Sequence, residues 1–331
     1  MSKVAVIGTG GTISSVGRDP FDQVNYTDTK RKYDAAELVD WFSEVRDAAE
    51  VVPVPFRAVS STAVGTSEWL ELVRLISELT EKDPALDGIV VTHGTATLEE
   101  TAYFLNLTVK TDVPVVMVGA QRPASAFGAD GGMNLYNAIR VAGSREARGL
   151  GVLVVLNDEI QAAREVTKTS TYRLQTFRTP DFGVLGHADG DGSIAIYRHP
   201  TRRHAPDTEF DVGDLTELPR VDILASYAGS DGVAVDAYLA AGARGIVSAG
   251  MAPGSGTPDD VAALGRAIEQ GVVVVQSTRA GSGRVLTGKT PSVKGSVAGD
   301  NLNPQKARIL LMLALTRSND AADIQRMFAT Y

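Results

Sequence analysis

Short apolar runs rich in β-branched residues recur along the chain, and segments with helical spacing separate them. Residues 4–7 (Val-Ala-Val-Ile) are the first such run. A continuous apolar segment this short reads as a strand buried on both faces. Further runs predict strands at 51–59, 88–91, 115–118 and 151–156. Between them, residues 35–42 read as a short helix. Residues 67–82 carry Leu70, Val73, Ile76 and Leu79 at helical spacing, and 131–142 form a third helical pattern. Residues 21–32 are polar and read as a loop. Residues 157–169 leave the fifth strand carrying Arg164 and Lys168.

Residues 187–219 mix Gly, Asp, His, Pro and Arg without a clear period. A domain boundary is expected here, near 200–215, giving domains 1–205 and 206–331. Beyond it the alternation restarts. Strands are predicted at 221–225, 245–249 and 272–275, and helices at 231–241, from Thr257 to the stop at Gly271, and at 303–314. Thr257-Pro-Asp-Asp260 supplies an N-cap, a proline at the first helical position and acids in the first turn. Strands alternating with helices in both halves predict an α/β chain of two parallel-sheet domains, the N-terminal one larger.

Composition narrows the function classes. Of 331 residues, 44% are hydrophobic and 22% charged, as in a globular protein with one large or two medium cores. The net charge of −8 and the lack of a basic run argue against a nucleic-acid partner. The absence of cysteine excludes a disulfide framework, zinc-thiolate sites and thiol catalysis. No apolar run is long enough to span a bilayer, so no membrane partner is expected. Residues 1–20 show no charged-then-apolar pattern, and a cytoplasmic location is the expectation.

Candidate chemistry lies where strands end, because ligands of open α/β sheets bind there. The first strand runs into Gly8-Thr-Gly-Gly-Thr-Ile13, which presents Thr12 behind Gly10 and Gly11. This does not fit G-x-G-x-x-G, since Ile13 stands at the third glycine. The second strand ends in Ser60-Ser61-Thr62 rather than an acid, which also disfavours a dinucleotide site. The third ends in Thr92-His-Gly-Thr-Ala-Thr-Leu-Glu-Glu-Thr101. Thr97 and Glu100 have capping-box spacing, so a helix is expected from Leu98. Backbone N–H groups of the turn Gly94-Thr95-Ala96 would then face an anion or a developing oxyanion. A threonine hydroxyl needs a base or a lowered pKa to act as a nucleophile, and a lysine kept neutral could supply it. By spacing alone the reading of these hydroxyls as turn and capping groups is the favoured one.

Gly8-Thr-Gly-Gly-Thr-Ile13 and Thr92-His-Gly-Thr95…Thr97…Glu99-Glu-Thr-Ala102 resemble the two signature motifs of the bacterial-type L-asparaginase family. Val154-Val-Leu-Asn157…Arg164-Glu-Val-Thr-Lys168-Thr…Phe177 resembles the block that carries that family's active-site lysine. Gly119-Ala-Gln-Arg122 and Asn134-Leu135 fit its pattern as well. The resemblance covers essentially the whole chain and is strongest up to about residue 180. It implies a larger N-terminal and a smaller C-terminal α/β domain. It also implies a homotetramer, a dimer of dimers in which a neighbouring subunit closes each site, and a cofactor-independent, metal-free hydrolysis of a small-molecule amide. It assigns Thr12 as nucleophile, Tyr26 as the tyrosine that assists it, and Thr95 with Lys168 as the pair that handles the attacking water. Ser61 would hold the substrate's α-carboxylate. Gly11, Thr62, Gly94 and the residue at 96 would line the substrate.

The chain departs from the family at position 96, where the motif has an aspartate that grips the substrate's α-ammonium group and this chain has Ala96. Thr62 stands where some members carry an amide. Ala252-Pro-Gly-Ser-Gly-Thr257 stands where an Asn-containing turn is usual. Three readings follow: an amidase or lactamase for a substrate without a free α-amino group, an asparaginase weakened by an introduced alanine, or a binding homologue without turnover. The correlated departures favour the first over the second. Elsewhere, His93 reads as a buried, hydrogen-bonded histidine, and His199 and His204 as exposed. Asp158-Glu159 reads as a solvated loop, and Arg122 as a carboxylate ligand or a member of a structural ion pair. Gly281-Ser-Gly-Arg284 lacks the ending of a phosphate-binding loop.

Overall fold

A computed structural model describes residues 1–286 and 293–331. The chain divides into two compact units, Met1–Thr208 and Glu209–Tyr331.

The first unit is built on strands β1 (Lys3–Gly10), β2 (Glu50–Val59), β3 (Gly88–Thr92), β4 (Val115–Val118), β5 (Leu153–Leu156) and β6 (Glu159–Ala162). It also has a ribbon of β7 (Thr167–Lys168) and β8 (Phe177–Arg178), and the short strands β9 (Gly186–Ala188) and β10 (Ile194–Ile196). Its helices are α1 (Ala35–Trp41), α2 (Thr66–Lys82), α3 (Leu98–Thr108) and α4 (Gly131–Ala142). The main sheet has eight strands in the order β10-β9-β6-β5-β4-β3-β1-β2. Val4, Val6, Val90, Val116, Val118, Leu153 and Val155 share one core with Leu38 of α1 and with Leu135 and Ile139 of α4. The alternate residues Ala5, Ile7, Ile89, Val91, Met117 and Val154 are equally buried, on the other face. Two covered faces explain why these strands are continuously apolar.

The sheet is not wholly parallel. Strands β2, β1, β3, β4 and β5 run parallel, but β6, β9 and β10 join antiparallel. The turn from β5 to β6 is two residues, Asn157 and Asp158, with φ of 53° and 62°. Both central residues at positive φ make this the mirror-image turn that suits a tight hairpin, and Asn and Asp tolerate it best among residues with a side chain. Asp158 thus lies exposed in the turn after the fifth strand, as expected, while Glu159 opens β6. Asp158 accepts a hydrogen bond from Asn137 at 2.7 Å, and Glu159 pairs with Arg178 at 3.1 Å.

The second unit has a parallel sheet of β11 (Val221–Ala225), β12 (Gly245–Gly250), β13 (Val273–Thr278) and β14 (Val297–Ala298) in that order. Helices α5 (Val233–Ala240) and α6 (Pro258–Glu269) cover one face, where Val235, Ala263 and Leu264 meet Leu224, Ile246 and Val274. Helix α7 (Pro304–Ala314) packs on β11, β12 and β13. The cap expected at Thr257 is present, its side chain accepting from the Asp260 N–H. A further helix, α8 (Ala321–Thr330), was not expected from the sequence. Asp320 caps it by accepting from Ala322 and Asp323 N–H, and Ile324, Met327 and Phe328 bury its apolar side. Its pattern is short, with only three apolar anchors. Among the described residues no helix is long and apolar enough to cross a membrane. Nor, among the described residues, is any group of three His, Asp or Glu placed to hold a metal ion.

Candidate active site

Sheet order positions the site. From β1 the chain moves outward to β2 on one side, then returns to β3 on the other side of β1. The carboxyl ends of β1 and β3 thus form a switch point, where connections diverge and leave a crevice. Thr12 follows β1 and Thr95 follows β3. Ser61 follows β2, the other neighbour of β1.

The glycines there are required by close packing. Gly10 has φ of 94°, and a Cβ on it would lie 2.4 Å from the Val59 carbonyl oxygen. Gly11 has φ of 86°, and its Cβ would lie 2.3 Å from Gly94 Cα. Only glycine combines that backbone with that approach. Gly94 is wedged in turn, since its own Cβ would meet Ser61 Oγ at 2.7 Å. Gly11, Gly94 and Ser61 therefore form one contiguous surface. Ser14 and Ser15 hydroxyls donate to the Gly11 carbonyl at 3.1 and 2.8 Å and hold the turn into Thr12.

Two hydroxyl pairs stand out. Thr12 Oγ1 lies 2.8 Å from Tyr26 OH, which a short 3-10 turn at Tyr26–Thr29 brings back over the loop. Lys168 Nζ donates to Thr95 Oγ1 at 2.7 Å, a contact between residues 73 apart in sequence. Lys168 reaches it from the β7–β8 ribbon, where it pairs with Phe177. Buried Gln161 secures the ribbon by donating to the Phe177 carbonyl at 3.0 Å and accepting from Thr179 at 2.9 Å. Burial pushes the Lys168 ammonium below its ordinary pKa, and the negative charge of Glu99 offsets part of that shift.

Other expected residues occupy varied positions. Ser61 is buried and Thr62 exposed, with Thr62 Oγ1 3.0 Å from Ser60 Oγ. Ala96 is exposed. Helix α3 starts at Leu98 as expected, but the capping box does not form. Thr97 donates its hydroxyl to the Ser61 carbonyl at 2.8 Å instead, tying the β3 turn to the β2 turn. Arg122 donates to the Gly128 carbonyl at 2.7 Å, a bond to backbone in place of the expected carboxylate. His204 is half-buried rather than exposed, its Nδ1 2.8 Å from the Ala205 carbonyl.

Sequence reasoning missed Glu99 as a partner of the site. It is buried in the first turn of α3, and its place four residues after Thr95 was the available signal in the sequence. His93 is fully buried. Its Nδ1 lies 2.8 Å from the Gly94 carbonyl and its Nε2 3.0 Å from Thr101 Oγ1. Burial holds its pKa down at about 4, so it is neutral at neutral pH.

Residues 3–202 match the family model described as asparaginase, N-terminal, and residues 220–328 match the glutaminase/asparaginase C-terminal domain. The chain is 45% identical to L-asparaginase 2 of Bacillus subtilis, with all of this chain and 87% of that one covered. It is 40% identical to the glutaminase-asparaginase of Pseudomonas fluorescens biotype A, with 100% and 91% covered. The crystal structure of a probable cytoplasmic L-asparaginase from Campylobacter jejuni is similar with a TM-score of 0.94 at 40% identity, covering 100% of each chain.

Proposed function

Because the chain belongs to the L-asparaginase family of amidohydrolases, we propose that it hydrolyses a side-chain amide, L-asparagine or a close relative, through Thr12. The observation that carries this reading is the placing of two hydroxyl pairs, Thr12–Tyr26 and Thr95–Lys168, on adjacent strand ends at the sheet's switch point.

In the first half-reaction Thr12 Oγ1 attacks the amide carbon. Its proton moves along the 2.8 Å contact to the Tyr26 oxygen, and Tyr26 passes its own proton to the departing nitrogen. Ammonia leaves and the acyl group stays on Thr12 as an ester. In the second, water attacks that ester and gives its proton to the Thr95–Lys168 pair, whose lysine is made less basic by burial. Thr12 is re-protonated as the acid departs. The N–H groups of Thr95 and Ala96 would face the developing oxyanion. Ser61, with Gly11 and Gly94 packed against it, would seat the substrate's carboxylate, with Thr62 at the rim.

A second reading concerns the substrate alone. Ala96 removes the carboxylate that would pair with an α-ammonium group, which favours an amide without one. Ammonia release from L-asparagine, L-glutamine and succinamate (asparagine without its amino group) tests both readings. Turnover of at least one is expected. No release from any of the three would overturn the assignment.

The lysine has its own signature. Neutral Lys168 is required to accept the proton, so activity should rise as pH rises through its lowered pKa. Glu99→Gln removes the charge that raises that pKa, so the lysine stays neutral to lower pH and the acid limb of kcat should move down. An acid limb that stays put or moves up would separate Glu99 from the reaction.

The family resemblance also supports a homotetramer with sites closed by neighbours. Light scattering should then return four times the 34.9 kDa chain mass, and a monomer in dilute solution would refute it. A cytoplasmic location accords with the name of the Campylobacter protein.

A further inference from the structure

Behind the β3 turn runs a chain of buried hydrogen bonds that the proposed steps do not use. The Trp69 indole N–H donates to Thr101 Oγ1 at 2.9 Å. Thr101 Oγ1 lies 3.0 Å from His93 Nε2, and His93 Nδ1 lies 2.8 Å from the Gly94 carbonyl. Trp69 is 3% exposed, and Thr101 and His93 are 0% exposed.

The direction of every proton follows from chemistry. An indole nitrogen only donates and a carbonyl only accepts. Thr101 therefore receives the indole proton and has its own left to donate to His93 Nε2. His93 must then be the neutral tautomer with its proton on Nδ1, donated to Gly94. Its lowered pKa, near 4, keeps that state through neutral pH.

In a trans peptide the carbonyl and the following N–H point in opposite directions. Fixing the Gly94 carbonyl toward the imidazole thus turns the Thr95 N–H away from it. Gly94 is also closely packed, since a Cβ on it would lie 2.7 Å from Ser61 Oγ and 3.1 Å from Gly11 Cα.

We propose that His93, Thr101 and Trp69 are positioning residues that orient the Gly94–Thr95 peptide and so aim the Thr95 N–H at the oxyanion. This rests on the functional reading above. None of the three touches the reacting atoms.

Two replacements separate orientation from mere packing. The amide nitrogen of His93→Asn overlays Nδ1 and keeps the donor to Gly94. His93→Gln reaches only to the Nε2 position and loses that donor. H93Q is expected to lose about 10²-fold in kcat with KM changed less than about threefold, while H93N stays within about fivefold of the parent. Thermal melting should rank the two alike. Equal losses in kcat, or full activity in H93Q, would overturn the proposal.

Nitrogen NMR of the imidazoles gives a readout independent of the variants' folding, and four histidines make assignment tractable. His93 should show the Nδ1–H tautomer and remain neutral to about its pKa of 4. An Nε2–H tautomer, or titration at the ordinary histidine pKa, would overturn the proposal. If the parent protein turns over no amide, the functional reading fails separately. The Thr95 amide resonance then decides: displaced in H93Q and unmoved in H93N is expected, and no displacement in either refutes the positioning.

Discussion

Thr12→Val should reduce amide turnover by about 10⁴-fold or more, with little change in fold or thermal stability. Loss of a nucleophile that works as part of a unit costs most of the catalytic effect, because its partners have nothing to act on. Valine keeps the β-branched shape and removes only the hydroxyl. Thr12 is partly exposed and its side chain bonds Tyr26, so a stability change within about 1 kcal/mol is expected. The same experiment discriminates between the two threonines. An electrophilic amide analogue that acylates the enzyme should label the peptide containing Thr12, and mass spectrometry of a digest would locate it. Label on Thr95, or more than about a tenth of parental activity in the valine variant, would remove Thr12 from the nucleophile's role.

Ala96→Asp should raise kcat/KM for L-asparagine by about 10²-fold and leave succinamate unimproved. An ammonium group left without its carboxylate in a desolvated site costs roughly 3–5 kcal/mol. Ala96 is exposed in the isolated chain, so the lower figure applies, and 1.4 kcal/mol corresponds to a factor of ten. Succinamate has no ammonium to pair, and a new carboxylate beside its path gives it nothing. The added charge also joins Glu99 in raising the Lys168 pKa, so the acid limb for the variant should lie at higher pH than in the parent. A strong gain on asparagine alone means an asparaginase site lacking one anchor. If the parent already prefers succinamate and the variant gains nothing on asparagine, the cleft is built for substrates without the amino group. Parallel gains on both substrates would contradict the ion-pair argument.

Much of this was legible in the amino-acid order, for identifiable reasons. Strands buried on both faces leave continuous apolar runs, so β1, β3, β4, β5, β12 and β13 could be read with small boundary errors, and β2 and β11 by their β-branched runs. Glycines that must adopt positive φ against another backbone leave their own mark, and Gly10 and Gly11 did so. The short antiparallel strands β6, β9 and β10 left none. Each is only three or four residues long, and their pairing depends on a hairpin whose Asn157-Asp158 corner looks like any polar loop. Thr97 carried a correct helix start but a wrong bond, because a partner 36 residues away accepted its hydroxyl instead.

The sequence by itself determined the alternation of strands and helices, the three strand-end hydroxyls and the family to which they belong. These are local properties, set by periodicity, by backbone freedom and by motif. Only the tertiary structure decided which hydroxyl meets which partner. The order of β2, β1 and β3 puts Thr12 beside the Thr95 turn, the β7–β8 ribbon delivers Lys168, and a buried indole and hydroxyl choose the tautomer of His93. Hydrogen bonds of this kind form between groups that share a site but not a stretch of chain, and desolvation then makes each choice of partner costly to change.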